Sequence, residues 1–371
     1  MKKIRVLQVL DKVGYNSGVS AVVMNYCTNL SRDIVDIDFL LFEKPDKEWQ
    51  LILEEMGAEI YVMGKPSGLQ LMSYKRNVEV FFEKFGTLYD IVHLHVPNVA
   101  FIVLSCAKKK GIGTRIIHSH NSRGADGILK KMRNFILNKW GIYYANYYAA
   151  CSKTAAEYLY GKRRIREKDI IYLNNAIELE KYKFNIDSRN KIREELEIGN
   201  DILLGHVGRF DEQKNHMGLL MIFAKLREQR WNGKLLLIGD GELKSSIIKQ
   251  AESLGIKEDV IFAGVVSNVN EYMSAMDVFL LPSLYEGLPV VGIEAQASGL
   301  TCLISDRVSS EIKLTNCVQF IGLEDIERWC EYIKNAECCL EKRKNIEQKK
   351  LENFEIKKQA EILGKLYSSF V

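Results

Sequence analysis

An α/β chain of two Rossmann-like domains facing across a cleft is the fold class the sequence predicts, from three observations. Short β-branched runs alternate with helically spaced segments from end to end, the pattern of parallel sheets covered by helices on both faces. The chain has 371 residues, about the length of two domains. Its apolar share is 47%, enough for two packed cores. Open α/β sheets take ligands beyond the carboxyl ends of their strands, so two such domains are expected to share a site in the cleft.

The strands of the first half are expected near residues 4–10, 37–42, 60–63, 91–94, 115–118 and 147–151, and those of the second near 203–207, 234–238, 260–262, 278–281 and 301–304. Residues 218–228 and 243–254 carry helical spacing, and a last helix is expected near 356–367. The charged stretch from Glu178 to Asn200 reads as the separator of the two sets. Neither an internal repeat nor a low-complexity segment is visible.

Composition excludes several classes. No run of eighteen apolar residues exists, so no spanning helix is expected. The opening MKKIRVLQVL is interrupted by Arg5 and Gln8 and reads as a buried first strand, not a signal peptide. The eight cysteines show no C-x-x-C spacing, which suggests neither zinc nor a disulfide framework and fits a reducing cytoplasm. Net charge is +4 but uneven. Residues 1–185 hold 28 basic and 19 acidic residues, and residues 91–156 hold ten basic residues against one acid, Asp126. That asymmetry fits an anionic partner or a solvated basic face.

The most informative stretch is LLPSLYEGLPVVGIEAQASG, residues 280–299, whose only charges are Glu286 and Glu294. A strand ends at Pro282–Ser283, a loop follows, and Pro289 takes the first-turn position of an apolar helix. A helix apolar nearly all round is buried, so Glu294 is a costly acid that needs a hydrogen-bond partner. In LLGHVGRFDEQKNHMGLL, residues 203–220, Arg209 follows a strand end, and Lys214 precedes a helix with Asn215 as a plausible cap. A cation there opposes the helix dipole and asks for an anion nearby. Together the two cations fit a diphosphate, a planar fork for two oxygens and a point charge for a third. Ordinary surface pairing of the two cations with Asp211 or Glu212 is the alternative.

Other turns are less specific. Gly239-Asp240-Gly241 marks a strand-to-helix turn, read mainly as structural. VGYNSGVSAVV, residues 13–23, has Gly14 and Gly18 where backbone N–H groups can approach an oxyanion or acceptor. Its G-x-x-x-G spacing argues against a nicotinamide dehydrogenase. RIIHSHNSRG, residues 115–124, closes a strand with His118 and His120, which point the same way. With no carboxylate or cysteine nearby, metal is not expected. His93 and His95 read as cleft-lining or core histidines. Residues 127–150 form a basic, aromatic amphipathic pattern that includes Lys130 and Lys131. It fits either an anionic membrane surface or an ordinary packed helix.

These motifs resemble the retaining GT-B glycosyltransferases of the "glycosyl transferases group 1" family, and within it the exopolysaccharide and capsule branch. The likeness lies in the Glu–x7–Glu of residues 286–294, in G-R-x(4)-K at 208–214, in IGDGEL at 238–243, in the block at 260–283, and in HSHNS and SDRVSSEI. It spans essentially the whole chain and is looser in the N-terminal half, where Ser17–Gly18 stands in for the usual glycine pair. The resemblance implies an acceptor domain at 1–180, a nucleotide-sugar domain at 181–352 and a C-terminal helix, 353–371, returning to the first domain. It implies that Arg209 and Lys214 grip the leaving diphosphate, Glu294 holds the ribose, and Glu286 and His118 orient the sugar. Gly18, Ser267, Asn268, Val269, Gly287 and Leu288 would line the donor, with Gly14, His120, Lys130 and Lys131 toward the acceptor.

The implied partners are a nucleotide-sugar donor, with UDP expected as the nucleotide, a lipid-linked or oligosaccharide acceptor, and the inner face of the plasma membrane. No nucleic acid is implied. The nucleotide-sugar is a substrate, so no cofactor is expected. The rivals are a sugar-nucleotide epimerase of the same fold and a non-catalytic partner of another transferase.

Overall fold

The structure is a computed structural model that describes residues 3–14, 17–120, 128–167, 169–336, 340–344 and 349–371. It divides into two compact units. One holds the described residues up to Ala176 together with Ile356–Val371, and the other holds Ile177–Glu355.

In the first unit, β1 (Ile4–Leu10), β2 (Val35–Leu41), β3 (Ile60–Val62), β4 (Ile91–Leu94), β5 (Thr114–Ser119), β6 (Tyr147–Ala150) and β7 (Ile170–Tyr172) make one parallel sheet, ordered β3-β2-β1-β4-β5-β6-β7. In the second, β8 (Ile202–Val207), β9 (Gly233–Ile238), β10 (Val260–Gly264), β11 (Val278–Leu281), β12 (Thr301–Ser305) and β13 (Val318–Ile321) make another, ordered β10-β9-β8-β11-β12-β13. Each is doubly wound. The strand order reverses between β1 and β4 in one sheet and between β8 and β11 in the other, and such a reversal opens a crevice at the strand ends.

The strands read as nearly continuous apolar runs because both sheet faces are covered. In the second sheet, Leu203, Leu236, Phe279, Leu281, Cys302 and Ile304 pack into one core layer. Their neighbours Leu204, Leu235, Leu237, Val278, Leu280 and Leu303 pack into the other, as alternation along a strand requires. Sequence reading omits β7 and β13, both at sheet edges. β7 is three residues long after a basic run, and β13 is split by Gln319.

The charged stretch 178–200, between β7 and β8, packs as part of the second unit. Its helix Ile186–Glu195 buries Arg189 and Arg193. Arg189 reaches Asp277 at 2.6 Å and Arg193 reaches it at 3.2 Å, and Asp277 also accepts from the Leu203 amide at 2.8 Å. A buried carboxylate with two guanidinium partners explains why a polar sequence packs tightly here. Arg193→Ala is expected to destabilise the second unit by about 2 kcal/mol, since it removes a charged hydrogen-bond donor. Urea unfolding checks this, and an unchanged midpoint would contradict it.

The C-terminal helix Ile356–Ser369 belongs to the first unit. Its Tyr367 is fully buried and bonds Gln8 and His93. Tyr26, on the helix Gly18–Asn29, donates to Gln359 on the same C-terminal helix.

Candidate functional site

The loops after β8 and β11 are neighbours at the second sheet's reversal point, and hydrogen bonds join them. Leu284 N donates to Gln213 O (2.8 Å), Gln213 Nε2 to Tyr285 O (3.1 Å), and Asn215 Nδ2 to Pro282 O (3.1 Å). Asn215 caps the helix His216–Glu228 in the left-handed conformation, and its side chain accepts from Gly218 N. This frame brings Lys214 Nζ to 2.6 Å from Glu286 Oε1, with both side chains largely buried. The anion that the cation at this helix start asked for is therefore a carboxylate 72 positions away. Glu286 also accepts from Ser283 Oγ at 3.3 Å, and its carbonyl accepts from Ser309 N at 3.1 Å. Asp211 holds the Lys214 amide at 3.1 Å.

Arg209 is not joined to that pair. Its Nε donates to Asp211 Oδ2 at 2.8 Å and its side chain is exposed, the alternative weighed from sequence. Phe210 N donates to Asp240 O at 3.0 Å, and Leu243 N donates to Phe210 O at 3.0 Å. A Cβ on Gly241 would lie 2.6 Å from Phe210 O. The second glycine of G-D-G therefore permits a backbone-to-backbone approach that shapes the Arg209 loop. Gly241→Ala is expected to cost about 2 kcal/mol through overpacking. Thermal melts check this, and an unshifted melt would refute it.

Glu294 lies on the helix Val290–Ala297. Pro289 is the cap itself, one residue ahead of the first turn. The Glu294 side chain is half-buried but densely surrounded, and desolvation pushes its carboxyl up to about 7. Its hydrogen-bond partner is Tyr182, at the end of the helix Leu179–Tyr182. Sequence reading missed Tyr182, whose only signal was an aromatic residue in an otherwise charged stretch. Gly287 and Leu288 are buried between the two acids. Ser267 and Asn268 lie on the loop after β10 and Val269 opens the helix Val269–Ala275, with Asn268 Nδ2 donating to Glu271 Oε2 at 3.0 Å. Sequence reading also passed over His206 and His216, a buried ring pair beside Phe210.

In the first unit, Gly14 N donates to Ser20 Oγ at 2.9 Å, and Gly14 packs against Asp46. Gly18 opens the helix Gly18–Asn29 with open space at its Cβ position. Next to the reversal at β1 and β4, four histidines of β4, β5 and the residues just beyond them cluster on one sheet face. His93 Nε2 meets His118 Nδ1 at 3.2 Å, and His95 Nδ1 meets His120 Nε2 at 2.8 Å. Burial pushes His93 and His120 down to about 3 and holds His95 and His118 well below the usual imidazole range. All four are neutral at pH 7. His93, His95 and His118 each bring a nitrogen within 4.8 Å of the others, while their hydrogen bonds run within the cluster and to Tyr367 and Gln8. The side chains of Lys130 and Lys131 lie outside the described residues, as do residues 121–127.

Two doubly wound parallel sheets, each with ionisable groups at its strand reversal, define a two-unit α/β protein of the ligand-binding kind. Comparison with known proteins gives the family. Residues 188–352 match "Glycosyl transferases group 1" and residues 16–181 match "Glycosyltransferase Family 4". The chain is 32% identical over 337 residues to the putative glycosyltransferase EpsF of Bacillus subtilis, covering 90% of this chain and 87% of the relative. It is 25% identical, over 76% of each chain, to an Escherichia coli UDP-Gal:alpha-D-GlcNAc-diphosphoundecaprenol alpha-1,3-galactosyltransferase. In fold it is similar to Anabaena HepE solved with UDP-glucose, at TM-score 0.78 and 16% identity, over 99% of this chain and all of that one. The chain belongs to the group 1 glycosyltransferases of GT-B fold.

Proposed function

We propose that this glycosyltransferase moves a hexose from a UDP-linked donor to a hydroxyl of a lipid-linked or oligosaccharide acceptor in bacterial surface polysaccharide synthesis, with retention and without a metal. The observation that carries this is the largely buried Lys214–Glu286 pair at the β8/β11 reversal. A cation there is placed for a diphosphate, and an acid for sugar hydroxyls. The relative named for UDP-Gal and a diphosphoundecaprenol acceptor, and the fold neighbour that holds UDP-glucose, support the choice of donor and acceptor class.

In the proposed step the bond between the anomeric carbon and the β-phosphate oxygen breaks, and the acceptor oxygen bonds that carbon on the same face. The acceptor proton passes to the leaving phosphate oxygen. Lys214 neutralises the charge that grows on the diphosphate, the largest single electrostatic effect expected. Arg209 adds a second cation by exchanging Asp211 for a phosphate oxygen. Glu294 accepts from the ribose hydroxyls, and Glu286 and His118 position the sugar.

Support for membrane proximity comes from the helix Ile128–Tyr144. Phe135, Trp140 and Tyr143 are 61%, 63% and 74% exposed. Lys139 lies over the Phe135 ring and Lys108 over the Tyr143 ring, and no acid occurs in that helix. Exposed aromatics among cations suit an anionic bilayer surface. Among the described residues no helix is long and apolar enough to cross a membrane. Flotation with vesicles containing phosphatidylglycerol is expected to carry the protein up and to fail for Trp140→Ala with Tyr143→Ala. Equal flotation on neutral vesicles would remove this part of the reading.

The deciding experiment is a thermal-shift panel of UDP-, GDP- and TDP-linked sugars, because a bound donor stabilises by mass action. UDP-linked hexoses are expected to raise Tm, and product on a lipid-linked acceptor should follow. An epimerised sugar formed with no acceptor present would refute the transferase reading.

A further inference from the structure

The four-histidine cluster is wired through one amide. Gln8, on β1, is buried with its Nε2 donating to Tyr367 Oη at 3.1 Å and its Oε1 accepting from His95 Nε2 at 2.8 Å. An oxygen that accepts from Gln8 keeps its own proton free to donate, and Tyr367 Oη lies 2.7 Å from His93 Nδ1. His93 Nδ1 is therefore the acceptor nitrogen. In a neutral imidazole the proton then sits on Nε2, which faces His118 Nδ1 at 3.2 Å. His118 Nδ1 must accept, so its proton sits on Nε2. That atom is buried, with no hydrogen-bond partner among the described residues. Each link depends on the one before it, and the chain starts at a group that cannot ionise.

We propose that Gln8 is a positioning residue: through Tyr367 and His93 it fixes the His118 tautomer so that Nε2–H is presented as a hydrogen-bond donor to an oxygen of the transferred sugar. The sugar contact rests on the function proposed above, whereas the tautomer control does not. Turning the Gln8 amide round would reverse every link and leave a lone pair on His118 Nε2. A buried donor without a partner among the described residues is costly, and a ligand oxygen that meets it would offset that cost. Burial keeps the four imidazoles neutral and pushes the Tyr367 hydroxyl up.

The chain has six histidines, few enough for nitrogen-15 labelling of the imidazoles in the full-length protein without substrate. His118 is assigned by difference with His118→Gln. Its Nε2 is expected to give a protonated, pyrrole-type signal and its Nδ1 a pyridine-type one. In Gln8→Glu the carboxylate accepts from both Tyr367 and His95, so the His93 and His118 signals should exchange types. In Tyr367→Phe, which removes only the hydroxyl, His118 should become a mixture of tautomers. This variant keeps the test decisive if Gln8→Glu folds poorly. For both variants kcat is expected to fall on the order of 10- to 100-fold, as for a lost or reversed hydrogen bond, while binding of UDP alone is unchanged.

A pyridine-type Nε2 in the unmodified protein, or a His118 signal indifferent to both substitutions, would overturn the proposal. So would a stoichiometric transition-metal ion in the purified protein, because it would displace the His93–His118 hydrogen bond. Exchanged signals with unchanged kcat would uphold the tautomer control and refute the contact of His118 with the sugar.

Discussion

Lys214→Ala is expected to lower kcat/KM by about 10²- to 10³-fold, the usual consequence of removing one well-placed charge-stabilising donor. Two effects combine. In the proposed reaction the diphosphate loses a point charge at the moment its own charge grows, and Glu286, only 2.6 Å from Lys214 Nζ, loses its cation in a largely buried position. The second effect makes the pair non-additive. Glu286→Gln alone should lower activity through the sugar contact. Added to Lys214→Ala it should cost much less than the product of the two single effects, since the unpaired carboxylate is then gone. Steady-state kinetics of the four proteins of the cycle check this, with UDP-induced thermal shifts separating nucleotide binding from chemistry. Full activity in Lys214→Ala would remove the cation from the reaction altogether.

Glu294→Gln should change stability and binding in opposite directions. Burial raises the folded-state carboxyl to about 7, above its ordinary value of 4.5. The folded protein therefore holds a proton that the unfolded chain has released. This contribution to stability is fully present below about pH 4.5, declines as pH rises, and is lost above about 7. A shift of that size corresponds to about 3 kcal/mol. Glutamine keeps the shape without the charge, so Tm of Glu294→Gln should exceed that of the unmodified protein at pH 8 and match it near pH 4.5. Donor binding runs the other way. In the proposed donor complex the ribose hydroxyls need the ionised acid as acceptor, so UDP affinity of the unmodified protein should rise as pH passes about 7. The affinity of Glu294→Gln should be lower by about tenfold and flat with pH. Calorimetry at pH 6 and pH 8 decides it, and a parallel pH dependence in both proteins would refute the assignment.

Much of the second unit could be read before any coordinates. The runs LLGHV, KLLLI and VFLL are β-rich and apolar on both sides, and each ends at a turn residue or a proline, so their identity as buried strands was plain. Asn215 announced a helix start by its type and place. The edges were harder: β7 and β13 offer little apolar length, because an edge strand has fewer neighbours to satisfy. Helix 186–195 has the charged composition of a solvent-exposed segment. Two of its arginines are instead consumed by Asp277, more than 80 positions away, and no local pattern announces such a partner. The roles of the cations divided in the same way. A lysine at a helix start demanded an anion, but its type and location were open. Arg209, one turn earlier, found its carboxylate only two residues on.

From the sequence alone came the alternation of strands and helices, the family likeness, and the list of ionisable groups at strand ends. These are properties of neighbours in the chain, set by side-chain period and turn chemistry that act over a few residues. Strand order decided the rest. Because β8 lies beside β11, Lys214 meets Glu286. Because β1 lies beside β4 and the last helix packs over them, Gln8, Tyr367 and four histidines become one hydrogen-bonded chain. Such pairings depend on which distant segments share a crevice, and only burial of the two sheets' faces chooses that.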